Sequence, residues 1–378
     1  MQPIGTWAGI DVSARKLAVC RWRDGKENEK TFSNDADGHR ELVRWLGSKA
    51  RVCVEATGVY HLQVALALRA AGAEVMVVNP HVAKDFARAL SNRSKSDEVD
   101  ARVLLTYVRR MEFVAWQAPS GAVLELRQIG RRLSDLVQSA TDEKNRLHAT
   151  KASGVSATVM ADVREHVDQL NKRIVRIEKA ALAVIEGDDE LGEQFRIIER
   201  ARGFGRRTAV LLLAELAVLD PAMTTRQVVA YAGLDPRVYE SGTSVHKPAR
   251  ISKVGNARIR AILFMNALSA IRHDRGACLF FARLVARGKT KMQAIVAVMR
   301  KLLHGIWTAM QRRVTYDSSV LFAASLKTAE SSDSAMAAIQ PEAGEDHPQG
   351  RSEAEELRQQ LDPRPLEAIQ PPEPAATP

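Results

Sequence analysis

The sequence predicts a mixed α/β domain followed by a largely α-helical remainder. Over the first 115 residues, short β-branched runs alternate with stretches of helical spacing. Residues 121–186 contain no proline and are rich in Ala, Leu, Arg, Glu and Gln, a composition typical of long helices. Residues 196–313 are mainly helical in pattern and strongly basic, with 22 Lys and Arg against 6 Asp and Glu.

Strands and helices alternate in the first 115 residues. Strands are expected at 7–11 (WAGID), 17–22 (LAVCRW), 30–33 (KTFS), 51–55 (RVCVE) and 75–79 (VMVVN). Helices are expected at 38–47, 60–71, 81–90 and 98–110, where apolar residues recur at helical spacing. Because the strands alternate with helices, we expect a largely parallel sheet.

Two features predict how the helical remainder is organised. Residues 116–190 are expected to form an antiparallel coiled-coil arm with a turn near Gly154, suited to dimerisation or to spanning nucleic acid. Residues 196–219 predict helix, turn and helix, with Gly203 and Gly205 flanking the turn. A Gly-x-Gly turn that opens a helix leaves backbone N–H groups for a phosphate, as in helix-hairpin-helix DNA-binding elements. An ordinary helical hairpin is the alternative.

Charge is distributed unevenly along the 378 residues, whose formal net charge is +10. Residues 1–327 carry +18, whereas residues 328–378 carry −8. A basic body indicates a polyanionic partner, most simply nucleic acid, and a merely soluble basic surface is the alternative. Residues 323–378 contain 8 of the 14 prolines and few large apolar side chains, so we expect a disordered acidic tail.

The composition also argues against several classes of protein. The 3 cysteines form no CxxC pair, which argues against a zinc knuckle and for a reducing compartment. No apolar run is long enough to span a membrane, and the N-terminus lacks the basic and apolar regions of a signal peptide. We therefore expect a cytoplasmic protein with no membrane partner.

Four acidic residues occupy positions where carboxylates can converge on one point. Asp11 and Glu55 each end a predicted strand. Asp97 and Asp100 lie at i and i+3 at the start of a predicted helix, so they share one face. Hard divalent cations such as Mg²⁺ prefer all-oxygen sites, and two such ions can assist phosphoryl transfer. Structural roles are the alternatives: Asp97 as an N-cap, Asp100 as a partner of the helix dipole, and Asp11 as a turn residue.

Four short motifs contain these acids or lie between them. They are G-I-D-V-S (9–13), V-E-A-T-G-V-Y (54–60), V-N-P (78–80) and K-S-D-E-V-D-A (95–101). In this order they resemble the N-terminal domain of the DEDD-type insertion-sequence transposases, the bridge-RNA-guided serine recombinases. The resemblance implies an RNase H-like, RuvC-like fold in which Asp11, Glu55, Asp97 and Asp100 bind one or two Mg²⁺ ions. Lys95 would contact a phosphate there, and a solvated surface lysine is the alternative.

Two further motifs lie in the basic C-terminal region. Residues 231–245 and 253–260 contain Y-A-G-L-D-P-R-V-Y-E-S-G-T-S-V and K-V-G-N-A-R-I-R. From composition alone Ser241 is a turn residue, and Ser244 and Ser252 are equal contenders for a nucleophile. The pattern resembles the second conserved domain of the same family, whose Ser-Gly serine is the covalent nucleophile on DNA and corresponds to Ser241. The cations expected to bind nucleic acid are Arg206, Arg207, Arg237, Lys247, Arg250, Lys253, Arg258 and Arg260.

Together these features predict a transposase or DNA recombinase of a bacterial insertion sequence. Its expected parts are an RNase H-like domain (1–115), a coiled-coil arm (116–190), a helical transposase domain with Ser241 (191–322) and the tail (323–378). The resemblance further implies a serine–DNA intermediate, a structured guide RNA encoded by the element, a homodimer or tetramer, and association with the nucleoid. The alternatives are a metal-dependent nuclease of the Holliday-junction-resolvase type and a non-catalytic nucleic-acid-binding regulator.

Overall fold

A five-stranded sheet opens the chain, and helices dominate the remainder. The computed structural model describes residues 5–47, 49–56, 58, 60–90, 96–152, 154, 156–241 and 245–327, with side chains described for all of these except 238–249. Lys95 and residues 328–378, most of the predicted tail, lie outside the described residues. Within the described part of the chain, no helix is long and apolar enough to cross a membrane.

The N-terminal sheet has the strand order β3-β2-β1-β4-β5. Its strands are β1 (Thr6–Val12), β2 (Lys16–Arg23), β3 (Lys26–Ser33), β4 (Ala50–Glu55) and β5 (Glu74–Val78). β1 is parallel to β4, and β4 is parallel to β5. β1, β2 and β3 are antiparallel because tight turns join them; the second turn is Asp24–Gly25, with positive φ at both residues. The sheet is therefore mixed, and the expectation of a largely parallel sheet is wrong.

Four helices cover the two faces of this sheet. They are α1 (Ala36–Leu46), α2 (His61–Ala70), α3 (Pro80–Ala89) and α4 (Asp97–Arg110). One face is covered by α1 and α2, which bury Leu42 and Val64. The other face is covered by α4, which buries Leu104 and Leu105 beside Ala83 of α3. The predicted α/β domain is confirmed as three layers, with the sheet in the middle.

Two long helices, α5 (Gly121–Ala152) and α6 (Ala157–Glu186), come after the sheet domain. At a rise of 1.5 Å per residue, each is roughly 45–48 Å long. They pack against each other, and α5 buries Leu126, Leu133, Leu136 and Ala140 at the alternating spacing of a coiled coil. Between them Gly154 has a φ of 68°, which favours glycine where the chain reverses.

The C-terminal region combines helices with one β-hairpin. Its elements are α7 (Asp189–Glu199), α8 (Arg206–Leu216), α9 (Thr225–Tyr231), β6 (Pro236–Ser241), β7 (Val245–Ile251), α10 (Ala257–His273), α11 (Arg275–Ala286), α12 (Lys291–Arg312) and α13 (Ser318–Leu321). α8 lies in the middle of the core, since every residue from Ala209 to Leu216 is buried. The mainly helical character is as predicted, but the β6–β7 hairpin is not.

The Gly-x-Gly turn between α7 and α8 has a packing role. Gly203 has a φ of 92°, and a Cβ at this position would lie 2.8 Å from the backbone oxygen of Asn266 on α10. Glycine at this position therefore allows α10 to approach the turn. Gly205 is the N-cap of α8, and no side chain caps that helix. The helix, turn and helix are confirmed, and the contact with α10 supports the ordinary helical hairpin.

The described chain is packed almost to its end. Phe322 and Ser325 are only 1% and 4% exposed, so the packed body extends beyond residue 322, where the composition predicts the tail to begin. Residues 1–326 form one compact unit.

We predict that deletion of residues 329–378 leaves the thermal midpoint of the protein within about 2 °C of wild type, because the removed segment contributes few large apolar side chains. Differential scanning calorimetry of the two proteins measures this. A matched truncation after Tyr316 removes Phe322 and should lower the midpoint clearly. A drop of comparable size after deletion of 329–378 would show that these residues stabilise the body.

Candidate active site

Two of the predicted acids lie on neighbouring parallel strands. β1 and β4 pair with Ile10 opposite Val54, so the next residue on each strand, Asp11 and Glu55, lies at the same edge of the sheet. Beyond Glu55, the N–H of Ala56 donates a hydrogen bond of 2.9 Å to the carbonyl oxygen of Val78 on β5. The end of β4 is thereby fixed on both sides.

The other two acids reach this edge on α4. Ser96 is the N-cap of α4, and its hydroxyl accepts a hydrogen bond from the N–H of Val99. Asp97 and Asp100 lie in the first turn that this cap starts. The N-cap role that was the alternative for Asp97 therefore belongs to Ser96.

Gly9 allows α4 to lie directly on β1. A Cβ on Gly9 would lie 2.2 Å from both the carbonyl oxygen of Ala101 and the backbone nitrogen of Leu105. Any side chain at this position would force α4 away from the strand. The glycine of the G-I-D motif therefore brings the first turn of α4 to the strand that carries Asp11.

The four carboxylates interact electrostatically. The pKa of Asp11 is raised from 3.8 to about 6, first by burial and then by the negative charges of Asp100, Asp97 and Glu55. All three other acids therefore lie close enough to repel the Asp11 carboxylate. Such mutual repulsion is typical of sites whose acids serve a function rather than stability.

The chemistry of this acid cluster, Asp11, Glu55, Asp97 and Asp100, fits a hard divalent cation. It offers only oxygen donors, and a bound cation would relieve the repulsion that raises the pKa of Asp11. Among the residues that the structure describes, however, no three Asp, Glu, His or Cys side chains are arranged as ligands of a single ion. The acids are thus within electrostatic reach of one another without forming a closed coordination shell.

One asparagine connects the loops around this site. The Nδ2 atom of Asn34 donates to the carbonyl oxygens of Ser13 and Tyr60, at 2.8 and 3.3 Å. Its Oδ1 atom lies 2.8 Å from Nε2 of His39 on α1. Ser13 lies just after β1 and Tyr60 just before α2, so Asn34 holds the segments beyond Asp11 and Glu55 against each other.

The predicted nucleophile lies on the β6–β7 hairpin. Ser241 is the last residue of β6 and pairs with Val245. Ser244 lies outside the described residues. Ser252 lies just after β7, at the opposite end of the hairpin from Ser241, and its hydroxyl donates a 2.5 Å hydrogen bond to Oδ1 of Asp235. Ser252 therefore closes the base of the hairpin and is committed to a structural contact.

Two glycines make the base of this hairpin compact. Gly233 has a φ of 65°, and a Cβ there would lie 2.9 Å from the carbonyl oxygen of Val254. Gly255 has a φ of 139°, and a Cβ there would lie 2.2 Å from the carbonyl oxygen of Tyr231. The two C-terminal motifs thus pack against each other and together form the base from which β6 and β7 extend.

Two family profiles match this chain in succession. One, described as "Transposase", matches residues 8–150, and the other, described as "Transposase IS116/IS110/IS902 family", matches residues 195–281. The chain belongs to the IS110 family of transposases. The two matches together span more than half of this transposase and include the acid cluster and Ser241.

Individual proteins are similar to this transposase over different lengths. A "Pilin gene-inverting protein" of Moraxella bovis is 26% identical over 325 residues, which cover 83% of this chain and 98% of the relative. An uncharacterized 43.6 kDa protein of insertion element IS110 from Streptomyces coelicolor is 24% identical over 210 residues, covering 56% of this chain and 48% of the relative. A transposase for insertion sequence element IS1111A from Coxiella burnetii is 30% identical over 129 residues, covering 33% and 35%.

Several of the cations predicted to bind nucleic acid contact other groups of the transposase. Arg207 pairs with Glu178 at 2.7 Å, and Arg258 pairs with Asp135 at 2.9 Å. Arg260 donates to the carbonyl oxygen of Ala232 at 3.0 Å. Arg206 lies 4.0 Å from Glu186, at the limit of an ion pair. The role of these four residues is therefore at least partly structural.

The remaining cations lie on the hairpin and beside it. Arg237 and Arg250 are exposed and occupy paired positions on β6 and β7. Lys253 is also exposed, and none of these three pairs with a carboxylate that the structure describes. Lys247 belongs to β7, but its side chain lies outside the description, as does Lys95. Exposed cations therefore lie at the base of the hairpin that carries Ser241.

The sequence interpretation missed a buried carboxylate in the C-terminal domain. Glu215 on α8 is 2% exposed. It accepts two hydrogen bonds from Arg131 on α5, at 2.8 and 3.3 Å, and one from Nδ2 of Asn256 at 2.7 Å. Arg127 lies 3.8 Å away. Burial alone would raise the pKa of Glu215, but Arg131, Asn256 and Arg127 lower it below its usual value. The signal in the sequence was a single acid in the apolar run of α8.

We predict that Asp11→Asn raises the stability of the metal-free protein near pH 7.5 by about 1–2 kcal/mol, since it removes a repelled carboxylate. The folded-state pKa of about 6 lies above 3.8, so ionised Asp11 destabilises the fold above pH 6. That destabilisation is lost as the pH falls toward 4 and the carboxylate binds a proton. Thermal unfolding in chelator at both pH values measures the difference.

The matched control for this measurement is Asp162→Asn, an exposed acid on α6. It should leave the thermal midpoint unchanged at both pH values. If Asp11→Asn destabilises the protein at neutral pH, the acid cluster is a structural network rather than a site under electrostatic strain.

We also predict that Glu215→Ala destabilises the protein by about 2–4 kcal/mol, because it leaves the half-buried Arg131 and the amide of Asn256 without their acceptor and opens a cavity at a buried position. Denaturant unfolding measures this. The control is Glu29→Ala, which removes the exposed pair with Arg102 and should cost less than about 1 kcal/mol. Similar small losses for both variants would show that Glu215 does not hold these elements together.

Proposed function

We propose that this transposase cuts and rejoins DNA through a covalent link between Ser241 and a DNA phosphate. The observation that carries the proposal is the grouping of Asp11, Glu55, Asp97 and Asp100 around one edge of the sheet, in a chain whose family is one of transposases. The name of the Moraxella relative supports recombination over simple hydrolysis, since inverting a gene requires that its cut ends be rejoined.

The acid cluster would bind one or two Mg²⁺ ions on an RNase H-like, RuvC-like domain. Support for that fold comes from the strand order β3-β2-β1-β4-β5, with three antiparallel strands followed by two parallel ones. When bound, Mg²⁺ would stabilise negative charge on the attacking and leaving oxygens of the phosphate. The protein's own contribution is to hold the four carboxylates at one edge, through Gly9, the Ser96 cap and Asn34.

The proposed chemistry consists of two successive phosphoryl transfers. The Ser241 hydroxyl oxygen forms a bond to a DNA phosphorus, and the bond from that phosphorus to the 3′ oxygen of the neighbouring nucleotide breaks. The serine proton is given up, and the departing 3′ oxygen leaves as a hydroxyl. A 3′ hydroxyl of another strand then attacks the phosphoserine, and Ser241 recovers its proton. The number of phosphodiester bonds is conserved, so no high-energy cofactor is consumed.

The family resemblance extends the proposal to the assembly. We propose that a structured guide RNA encoded by the element selects the DNA, so that base pairing rather than the protein determines the target. We further propose a dimer or tetramer, joined through α5 and α6, in which Ser241 and the acid cluster of one active site come from different subunits. Purifying the protein from its own locus and sequencing the bound RNA tests the guide.

We predict that the protein, incubated with guide RNA, DNA and Mg²⁺ and then denatured, retains covalently bound DNA. Ser241→Ala should abolish this adduct, whereas Ser244→Ala, two positions beyond the Ser-Gly pair, should retain it. Asp11→Asn should abolish both adduct and recombined product while changing the nucleic-acid Kd by less than about twofold. An adduct from Ser241→Ala would place the nucleophile elsewhere, and cleavage without any adduct would favour the hydrolytic nuclease.

A further inference from the structure

A cavity of about 930 Å³ lies in the C-terminal domain, away from the acid cluster. Its walls come from α9, α12, α13 and the start of β6. Three lining residues, Arg300, His304 and Arg312, recur at intervals of four or eight along α12, so they lie on one ridge of that helix. Arg226 on α9 and Lys301 on α12 also line the cavity. The cavity is therefore lined by four cations, Arg226, Arg300, Lys301 and Arg312.

These cations have no carboxylate partners among the described residues. No ion pair there involves Arg226, Arg300 or Arg312. The two acids that line the cavity are already engaged. Asp235 accepts the hydrogen bond from Ser252, and Asp317 accepts from the backbone and hydroxyl of Ser319, at 2.8 and 2.7 Å. Arg226, Arg300, Lys301 and Arg312 outnumber these two acids, so the cavity keeps a net positive charge.

Lys301, which lines the cavity, packs against two aromatic rings. The Nζ atom of Lys301 lies 5.3 and 5.4 Å from the ring centroids of Phe280 and Phe322. Burial and the nearby charge of Arg283 lower its pKa. The Nε atom of Arg283 is itself buried without a hydrogen-bond partner among the described groups. An anion bound beside Lys301 would be favoured because it would offset the repulsion that Arg283 exerts on Lys301.

Apolar side chains line other parts of the cavity. Val229, Tyr316 and Leu321 are among them, and Tyr316 is 8% exposed. A cavity of this size, lined by both cations and apolar side chains, suits a ligand that combines anionic and apolar groups. An unpaired nucleotide has this character, since it combines a flat base with a phosphate. A duplex does not present such a group, because its bases are paired and stacked inside the helix.

We propose that this cationic cavity binds unpaired nucleotides of a single strand, with Arg300 and Arg312, about 18 Å apart along α12, on different phosphates and a base against the apolar side chains. The inference rests on the proposed function only in taking nucleic acid as the ligand. Asp235 and Pro236 line the same cavity, and β6 runs from Pro236 to Ser241, a distance of about 17 Å. A single strand held in the cavity would therefore lie at the base of the hairpin that carries the nucleophile.

The test is binding of fluorescein-labelled single strands of about 12 nucleotides, one DNA and one RNA, and of a duplex of the same length, measured by anisotropy in chelator. The double variant Arg300→Gln/Arg312→Gln should raise the single-strand Kd roughly tenfold and the duplex Kd less than about threefold. The slope of log K against log salt concentration, where K is the association constant, should become less steep by about 1.4 for single strands, since two phosphate contacts are lost. Whichever labelled strand shows the larger loss, DNA or RNA, is the one that occupies the cavity.

The control is Arg272→Gln/Arg287→Gln, which removes the same charge from exposed positions at the ends of α10 and α11. It should affect single strands and duplex alike. Thr308→Trp, which fills the cavity without changing charge, should weaken only single-strand binding. Equal losses for single strand and duplex in the cavity variants, or no loss, would overturn the proposal. If wild type binds no nucleic acid at all, the proposed function itself fails.

Discussion

The contact between Glu215 and Arg131 holds the C-terminal half of this transposase together. Glu215 lies on α8, Arg131 on the long helix α5, and Asn256, which also bonds Glu215, caps α10. One buried carboxylate thus fixes the arm, the central helix and the K-V-G-N motif relative to one another. Each partner satisfies a group that would be costly to bury alone. Because Asn256 lies just beyond the base of the hairpin, the position of Ser241 also depends on this contact.

The acid cluster shows the opposite electrostatic balance. Three hydrogen bonds from Arg131 and Asn256 keep Glu215 ionised inside the core. At Asp11, the carboxylate is half-buried beside three more negative charges, and its pKa rises to about 6. Holding these acids together costs stability. Gly9 and the N-cap of α4 both help to bring α4 close to the strand that carries Asp11. A buried acid with matched cations is structural, whereas half-buried acids that repel each other are typical of functional sites.

Much of the fold could be predicted because it depends on local pattern. The strands and helices of the first 110 residues arise from alternating apolar runs, and the long helices from a proline-free composition. The direction of β2 and β3 could not be predicted in the same way, because it depends on turns such as Asp24–Gly25. The hairpin was missed because Pro236, Pro248 and the Ser-Gly pair weaken its strand pattern. Glu215 was missed because its partners are distant in sequence.

The distribution of ion pairs separates the arginines that build this protein from those left for a ligand. Arg207 and Arg258 looked identical in sequence to Arg237 and Arg250, yet the first two bind carboxylates of α6 and α5. A sequence cannot make this distinction, because the partners lie 29 and 123 residues away. Once the paired residues are set aside, unpaired cations remain on the hairpin and along one ridge of α12. Both surfaces adjoin Pro236, where the cavity ends and β6 begins. Under the proposed function, a nucleic acid bound by either surface would lie along the strand that leads to Ser241, so the hairpin would position the substrate as well as carry the proposed nucleophile.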